Sequence, residues 1–264
     1  MTVREALRAA ERRLARAGVE TARVDAELLL AHALGVSRTA LYAAPEREVS
    51  PRFEPLLARR EAREPLAYVL GEWGFRRLTL ATDRRALVPR PETEVVVERC
   101  LALLAGLERP RVLDVGVGAG AIALAIADEH PGARVTAVDV SEEALSLARE
   151  NVERTGLPVE LRQGGTEVAA EGWDLVVSNP PYVAPKELEA LEPEIRDWEP
   201  RLALVGDGFQ EELARVARTD RLVLEVAPRQ AARVARALDG LGYREIRITR
   251  DLAGRERVVE GVRP

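Results

Sequence analysis

From residue 111 onward the sequence alternates short apolar runs with helical stretches, and that alternation restricts the fold more than any other feature. "RVLDVG" reads as a strand and "AIALAIADEH" as a helix. "RVTAVDV" is the next strand, followed by a helix from Ser141 through Asn151. "VELRQ", "WDLVVS" and "RLVLEVA" are further strands, while "REIRITRD" and "RERVVEGV" read as a closing antiparallel pair. Strands joined through helices need crossover connections. The expectation is therefore an α/β fold on a mostly parallel sheet, with ligands at the carboxyl ends of its strands.

The part before residue 90 follows another rule. Thr2-Val3-Arg4-Glu5 has the spacing of a capping box, and Leu7, Ala10, Leu14 and Ala17 follow at helical intervals up to Gly18. A second helix is expected from Thr21 to Leu34, stopped by Gly35. A third begins at Ser50-Pro51 and carries Phe53, Leu56, Leu57 and Arg60 before Pro65. Residues 1–65 thus read as a small helical domain. In residues 66–90, "GFRRLTLATDRRALVP" alternates around Thr82-Asp83, which suggests a β-hairpin linker turning there. "RPETEVVVERCLALLAGL" then opens the third segment, residues 91–264, as a helix. Pro91 stands at its entry, and Glu92 and Glu94 lie near the positive end of its dipole.

Composition narrows the function classes. Net charge is −5, against broad electrostatic capture of nucleic acid. No apolar run approaches the roughly 18–20 residues that span a bilayer. The amphipathic start, with its acids, reads as a folded helix rather than a secretion signal. Cys100 is the only cysteine, so no disulfide framework exists and a cytoplasmic location is expected. His32 and His130 are the only histidines, and no metal site is expected. A monomer without a membrane or direct nucleic-acid partner is the resulting picture.

Asp114-Val115-Gly116-Val117-Gly118-Ala119-Gly120 lies between a strand and a helix. Glycines there permit a tight turn and let a ligand approach the backbone amides of the helix start. Asp139 closes the next strand, where its carboxylate can accept both hydroxyls of a ribose. The pair describes a nucleoside site, and the glycine loop alone does not separate a dinucleotide from S-adenosylmethionine. Asp114 suits a cationic amino group better than a pyrophosphate, whose like charge it would repel.

A second motif, Ser178-Asn179-Pro180-Pro181-Tyr182, ends a strand of the same sheet. Prolines end strands anywhere, so a simple breaker is one reading. The other is chemical. An amide or arylamine nitrogen is planar and a poor nucleophile, and a site that accepts both of its N–H bonds orients it for methyl transfer. Asn179 offers a side-chain oxygen and Pro180 a backbone carbonyl, while Pro180 and Pro181 fix φ and remove competing donors. Tyr182 would supply an aromatic wall.

At this point the motifs carry a family resemblance. Asp-x-Gly-x-Gly-x-Gly, Asp139 and Ser178-Asn179-Pro180-Pro181-Tyr182 stand in the order of amino-methylating S-adenosylmethionine enzymes. The chain resembles the HemK-type methyltransferases, which modify the glutamine of the Gly-Gly-Gln motif in peptide chain release factors. Further matches are Glu64-Pro65-Leu66-Ala67-Tyr68-Val69-Leu70-Gly71, Pro89-Arg90-Pro91-Glu92-Thr93-Glu94, Glu199-Pro200-Arg201-Leu202-Ala203-Leu204, and Leu224-Glu225 with Gln230.

The resemblance implies a Rossmann-like class I methyltransferase with a seven-stranded, mostly parallel sheet and an N-terminal substrate-docking domain. It implies S-adenosyl-L-methionine as cofactor, S-adenosyl-L-homocysteine as product, and class 1 release factors as partners. Catalysis falls to Asn179, Pro180, Pro181 and Tyr182, and substrate binding to Phe75, Arg90, Asn179 and Tyr182. Cofactor binding falls to Asp114, Gly116, Val117, Gly118, Gly120, Asp139, Val140, Gly165, Asn179, Glu92 and Thr93.

Some positions depart from the family pattern. Val117 and Ala119 replace hydroxyl residues of the glycine loop, and Gln163-Gly164-Gly165-Thr166 lacks the usual acid, leaving adenine to backbone groups or Glu167. Ala227 stands where glycine is common. Two rivals remain at this stage. One is an adenine-N6 nucleic-acid methyltransferase, since the Asn-Pro-Pro-Tyr turn serves an exocyclic amine equally well, although base flipping wants a basic groove or an insert. The other is a non-catalytic S-adenosylmethionine-binding protein.

Overall fold

The computed structural model describes residues 1–263, and these divide into two compact units. The first comprises Met1–Glu72 together with Glu192–Trp198, and the second Trp73–Leu191 and Glu199 onward.

The first unit is helical: α1 (Val3–Arg16), α2 (Ala22–Leu34), α3 (Arg38–Ala43), α4 (Phe53–Glu61) and α5 (Leu66–Leu70). The capping box forms as expected. The Glu5 N–H donates to Thr2 Oγ1, and the Thr2 N–H donates to Glu5 Oε2 at 2.8 Å. Gly35, at φ +63°, stops α2 in the left-handed conformation that only glycine adopts without strain. Leu7, Leu14, Leu29, Leu30, Phe53, Leu57 and Val69 meet in one core. Two elements depart from the sequence reading. At six and five residues, α3 and α5 are too short to show a period. Residues 66–70, expected in the linking hairpin, instead place Val69 in this helical core.

Burial in this unit includes charge. Arg60 donates through Nε to Asp25 Oδ2 at 2.7 Å and lies 2.8 Å from Glu194. Thr21 donates to the other Asp25 oxygen at 2.8 Å, and Arg63 donates to Glu194 at 2.6 Å. Glu194 belongs to α9 (Pro193–Arg196), which the chain contributes from far downstream.

The second unit opens with a two-stranded ribbon, β1 (Glu72–Phe75) and β2 (Leu78–Ala81), whose first residue still counts with the helices. Its turn is Arg76-Arg77 and not the expected Thr82-Asp83. Arg76 holds φ +51° because its N–H donates to Glu94 at 3.0 Å and its guanidinium clasps Glu129. A 3₁₀ turn at Pro91–Thr93 leads into α6 (Glu94–Leu104). Then come β3 (Arg111–Val115), α7 (Ala121–Glu129), β4 (Arg134–Asp139), α8 (Glu142–Thr155), β5 (Val159–Gln163) and β6 (Leu175–Ser178). Beyond α9 follow α10 (Arg201–Leu204), α11 (Phe209–Val216), β7 (Arg221–Glu225), α12 (Ala231–Gly240), β8 (Arg244–Arg250) and β9 (Glu256–Val262).

The seven strands β3–β9 form one sheet in the order β5-β4-β3-β6-β7-β9-β8, parallel except where β9 pairs antiparallel with β7 and β8. Its inner strands β3, β4, β6 and β7 are buried along nearly their whole length because both faces are covered. Val112, Leu175, Val177, Val223 and Val258 face the core shared with α6, α7 and α8. Their neighbours Leu113, Val176, Leu222, Leu224 and Val259 face the core shared with α11 and α12. That is the two-residue alternation of a pleated strand. No helix among the described residues is long and apolar enough to cross a membrane.

Candidate functional site

The strand order reverses at β3, with β4 and β5 on one side and β6 and β7 on the other. Such a reversal leaves a crevice at the carboxyl ends of the two central strands. The glycine loop leaves β3 there and the Asn-Pro-Pro-Tyr turn leaves β6. Ser178 Oγ ties the two strand ends by donating to the Val115 carbonyl at 2.6 Å.

Gly116, Gly118 and Gly120 hold φ values of +83°, +53° and +89°, which a side chain would strain. The N–H groups of Gly116 and Val117 both donate to the Val138 carbonyl, at 2.8 and 2.9 Å. The Gly118 N–H donates to Asp139 Oδ2 at 3.0 Å, and the Ser141 N–H to Asp139 Oδ1 at 3.0 Å. Asn151, fully buried on α8, accepts the Ala81 N–H at 2.6 Å and donates to the carbonyls of Ala81 and Ala119. The loop is therefore held from β4 and α8 before any ligand arrives.

The opposite wall is equally rigid. Pro180 and Pro181 carry no N–H, and past Tyr182 the amides of Val183 and Gly206 form a short ladder. Val183 N–H donates to the Leu204 carbonyl at 2.9 Å, and Gly206 N–H to the Val183 carbonyl at 3.1 Å. A Cβ on Gly206 would lie 2.8 Å from the Pro181 carbonyl oxygen, so glycine is what lets this ladder approach the turn.

Between the walls lies a mostly apolar cavity of about 360 Å³. Of the residues the sequence singled out, Arg90, Thr93, Gly116, Val117, Gly118, Asp139, Val140, Gly165, Asn179, Pro180 and Pro181 line it. Asp114 lies at the end of β3 and is 1% exposed. One of its oxygens accepts the Ala123 N–H at 3.1 Å, and Oδ1 has no partner among the described residues. Burial pushes its pKa up to about 8 against that hydrogen bond, with Asp139 adding to the rise. A nucleoside carrying a cationic amino group fits this set: glycine backbone, Asp139, the exposed Val140 surface, and an open buried acceptor. The Gly165 N–H is already taken by Glu167 Oε1 at 2.7 Å, so Glu167 caps its own loop.

Four expected residues lie elsewhere. Gly120 is not part of the cavity wall, and a Cβ there would meet Leu124 at 3.1 Å. Phe75 is 1% exposed and packs in the core with Leu80, Val96 and Val97, because β1 turns that face inward. Glu92 is drawn away by Arg255, which donates to it at 2.7 Å. Tyr182 is not part of the cavity wall; burial raises its pKa, and Glu225 and Arg257 are among the charges it feels. Arg90 does reach the cavity, but its Nη2 donates to both oxygens of Glu199 at 2.7 and 2.6 Å. Burial still raises the Glu199 pKa above the usual carboxylate range. Asn151, Gly206 and the partner role of Glu199 escaped the sequence reading. Their only local signals were an asparagine on a buried helix face and a glutamate set beside a proline.

Comparison with known proteins agrees with this geometry. The PrmC N-terminal domain model matches residues 5–71 and the methyltransferase small domain model residues 94–197. The release factor glutamine methyltransferase of Deinococcus radiodurans is 43% identical over 100% of this chain and 99% of its own length. The protein of the same name from Caulobacter vibrioides is 38% identical over 100% and 97%. Among solved structures, a methyltransferase from Pyrococcus furiosus superposes with a TM-score of 0.51 at 20% identity, covering 69% of this chain and 87% of that one. The fold is that of the Rossmann-like methyltransferases. Identity that runs end to end through both units places the chain in the release factor glutamine methyltransferase family.

Proposed function

We propose that this protein methylates N5 of the glutamine side chain in the Gly-Gly-Gln motif of class 1 peptide chain release factors. The observation that carries the reading is the 43% identity along the entire chain with the Deinococcus radiodurans enzyme. The cofactor is S-adenosyl-L-methionine, which when bound supplies an electrophilic methyl on a sulfonium. Asp139 would hold the ribose, Asp114 the amino group, and Gly116, Val117 and Gly118 the backbone of the pocket.

The chain's own contribution at the reacting end is positional. Asn179 Oδ1 and the Pro180 carbonyl accept the two N–H bonds of the substrate carboxamide, which fixes its plane and favours the cationic nitrogen that develops. No general base is required before transfer, because the nitrogen becomes acidic only once methylated. Arg90, held by Glu199, frames the pocket rather than binding substrate. The helical unit, Met1–Glu72 with Glu192–Trp198, would dock the release factor and the second unit would catalyse, in a monomeric cytoplasmic enzyme that does not engage nucleic acid directly.

Tritiated-methyl transfer to a purified release factor, beside its Gln→Ala variant in the Gly-Gly-Gln loop, tests the reading. Label is expected on the first protein and absent from the second. Equal labelling of both would move the substrate elsewhere.

A further inference from the structure

Behind the catalytic turn three side chains form a line of hydrogen bonds with a fixed polarity. Glu225, the last residue of β7, is 1% exposed, and its Oε2 accepts the Thr93 hydroxyl proton at 2.7 Å. The same hydroxyl oxygen accepts from Asn179 Nδ2 at 3.2 Å. An ionised carboxylate can only accept. Thr93 is thereby committed to donating, its oxygen is left to accept, and the Asn179 carboxamide must turn its NH₂ inward. Oδ1 is the end that remains for the cavity, which Thr93 and Asn179 both line.

The two ends of a carboxamide are nearly the same shape, so packing alone does not choose between them. The flipped rotamer would present NH₂ to a substrate NH₂, donor against donor. We propose that Glu225 is a positioning residue for methyl transfer, selecting through Thr93 the carboxamide orientation in which Asn179 Oδ1 faces the cavity as an acceptor. This rests on the reading of Asn179 given above.

The surroundings make the device sensitive to protons. Burial pushes Glu225 up to about 7, the Thr93 hydroxyl, Arg257 and Arg90 pull it down, and Glu92 pushes it up. Tyr182 also faces it. Of these, Arg90 is committed to Glu199, and Glu92 to Arg255. A protonated Glu225 can itself donate, which frees Thr93 to donate to Oδ1 and removes the constraint on Asn179. The ionised form is the productive one, so turnover should fall as pH drops through about 7.

Turnover at saturating cofactor and release factor reads the effect. Glu225→Gln keeps the shape but loses the obligate acceptor. It should lower kcat about tenfold or more at pH near 8, abolish the acid limb, and leave cofactor affinity within about twofold. Thr93→Val should likewise lower kcat and abolish the acid limb, Thr93→Ser should restore the rate, and the double variant should be no slower than the slower single one. Wild-type turnover and an intact acid limb in Glu225→Gln would overturn the assignment, as would losses that multiply in the double variant. If Glu225→Gln does not fold, the Thr93 pair decides.

A readout without turnover separates this idea from the choice of substrate. The chain holds only two asparagines, Asn151 and Asn179, so asparagine labelled with nitrogen-15 gives two side-chain NH₂ signals. The Asn179 signal should titrate near pH 7 in the wild type and stay fixed in Thr93→Val, with Asn151 constant in both. An Asn179 signal flat in the wild type sinks the relay even if release factor is methylated. A titrating signal with no methylation sinks only the substrate.

Discussion

Asp25 and Asp114 are both buried carboxylates, in the helical unit and beneath the cavity, and their surroundings differ. Asp25 receives Arg60 on one oxygen and the Thr21 hydroxyl on the other, inside a cluster that also takes in Glu194 and Arg63. Asp114 receives one backbone N–H and has an oxygen with no partner among the described residues. Burying a charge is costly unless it is paired and hydrogen-bonded, so the first arrangement is compensated within the protein and the second is left open. Its shift to about 8 is the signature of that open place. A buried polar group read for function is therefore judged by what it lacks.

Removing the cation from the compensated side should do the most damage. Arg60→Met leaves Asp25 and Glu194 without their shared cation and should cost about 3–5 kcal/mol in denaturant unfolding. A loss below about 1 kcal/mol would mean the cluster is no more demanding than the open carboxylate.

The next effect has the opposite sign. The folded-state pKa of Asp114 lies above its unfolded value, so the native state holds a proton that the unfolded state releases, and stability falls as pH rises from about 4 to about 8. Asp114→Asn removes that decline. The variant should match the wild type near pH 4 and exceed it by a margin that widens up to about pH 8, while cofactor affinity drops at least about tenfold by calorimetry. Destabilisation at pH 8 would make Asp114 a second Asp25. The smallest effect calibrates both: Arg4 and Glu46 lie 2.8 Å apart with both side chains exposed, and Arg4→Gln should change stability by less than about 0.5 kcal/mol.

What could be read from the sequence divides along a physical line. The crossover alternation, the capping box, the glycine loop and the Asn-Pro-Pro-Tyr turn are local patterns, and local patterns survive in a linear string. The relay from Glu225 through Thr93 to Asn179 unites three distant segments, as does the clamp of Asn151 on Ala81 and Ala119, and the pairing of Arg90 with Glu199 unites two. Such groups are brought together only by the sheet. Phe75 shows the converse limit, since an aromatic before the Pro-Arg-Pro-Glu-Thr segment suits a substrate pocket and a core equally, and only the folded chain shows it packed in the core. The ribbon turn was misplaced because Thr-Asp has turn chemistry, whereas Arg76 bends there only with Glu94 and Glu129 supplied by later helices.

The seven residues from Glu192 to Trp198 also bear on how this enzyme can be taken apart. A truncation that begins at residue 73 deletes the helices but keeps Glu194, now stripped of Arg60 and Arg63. A fragment that stops at residue 72 keeps both arginines and loses Glu194, which leaves Arg60 with Asp25 alone. Neither half is a natural piece of the protein, and failure of either to act speaks first of a severed ion cluster and only second of recognition. Dissection by substitution on intact chains, or by a peptide spanning α9 added back to the shorter fragment, respects how the polypeptide is threaded.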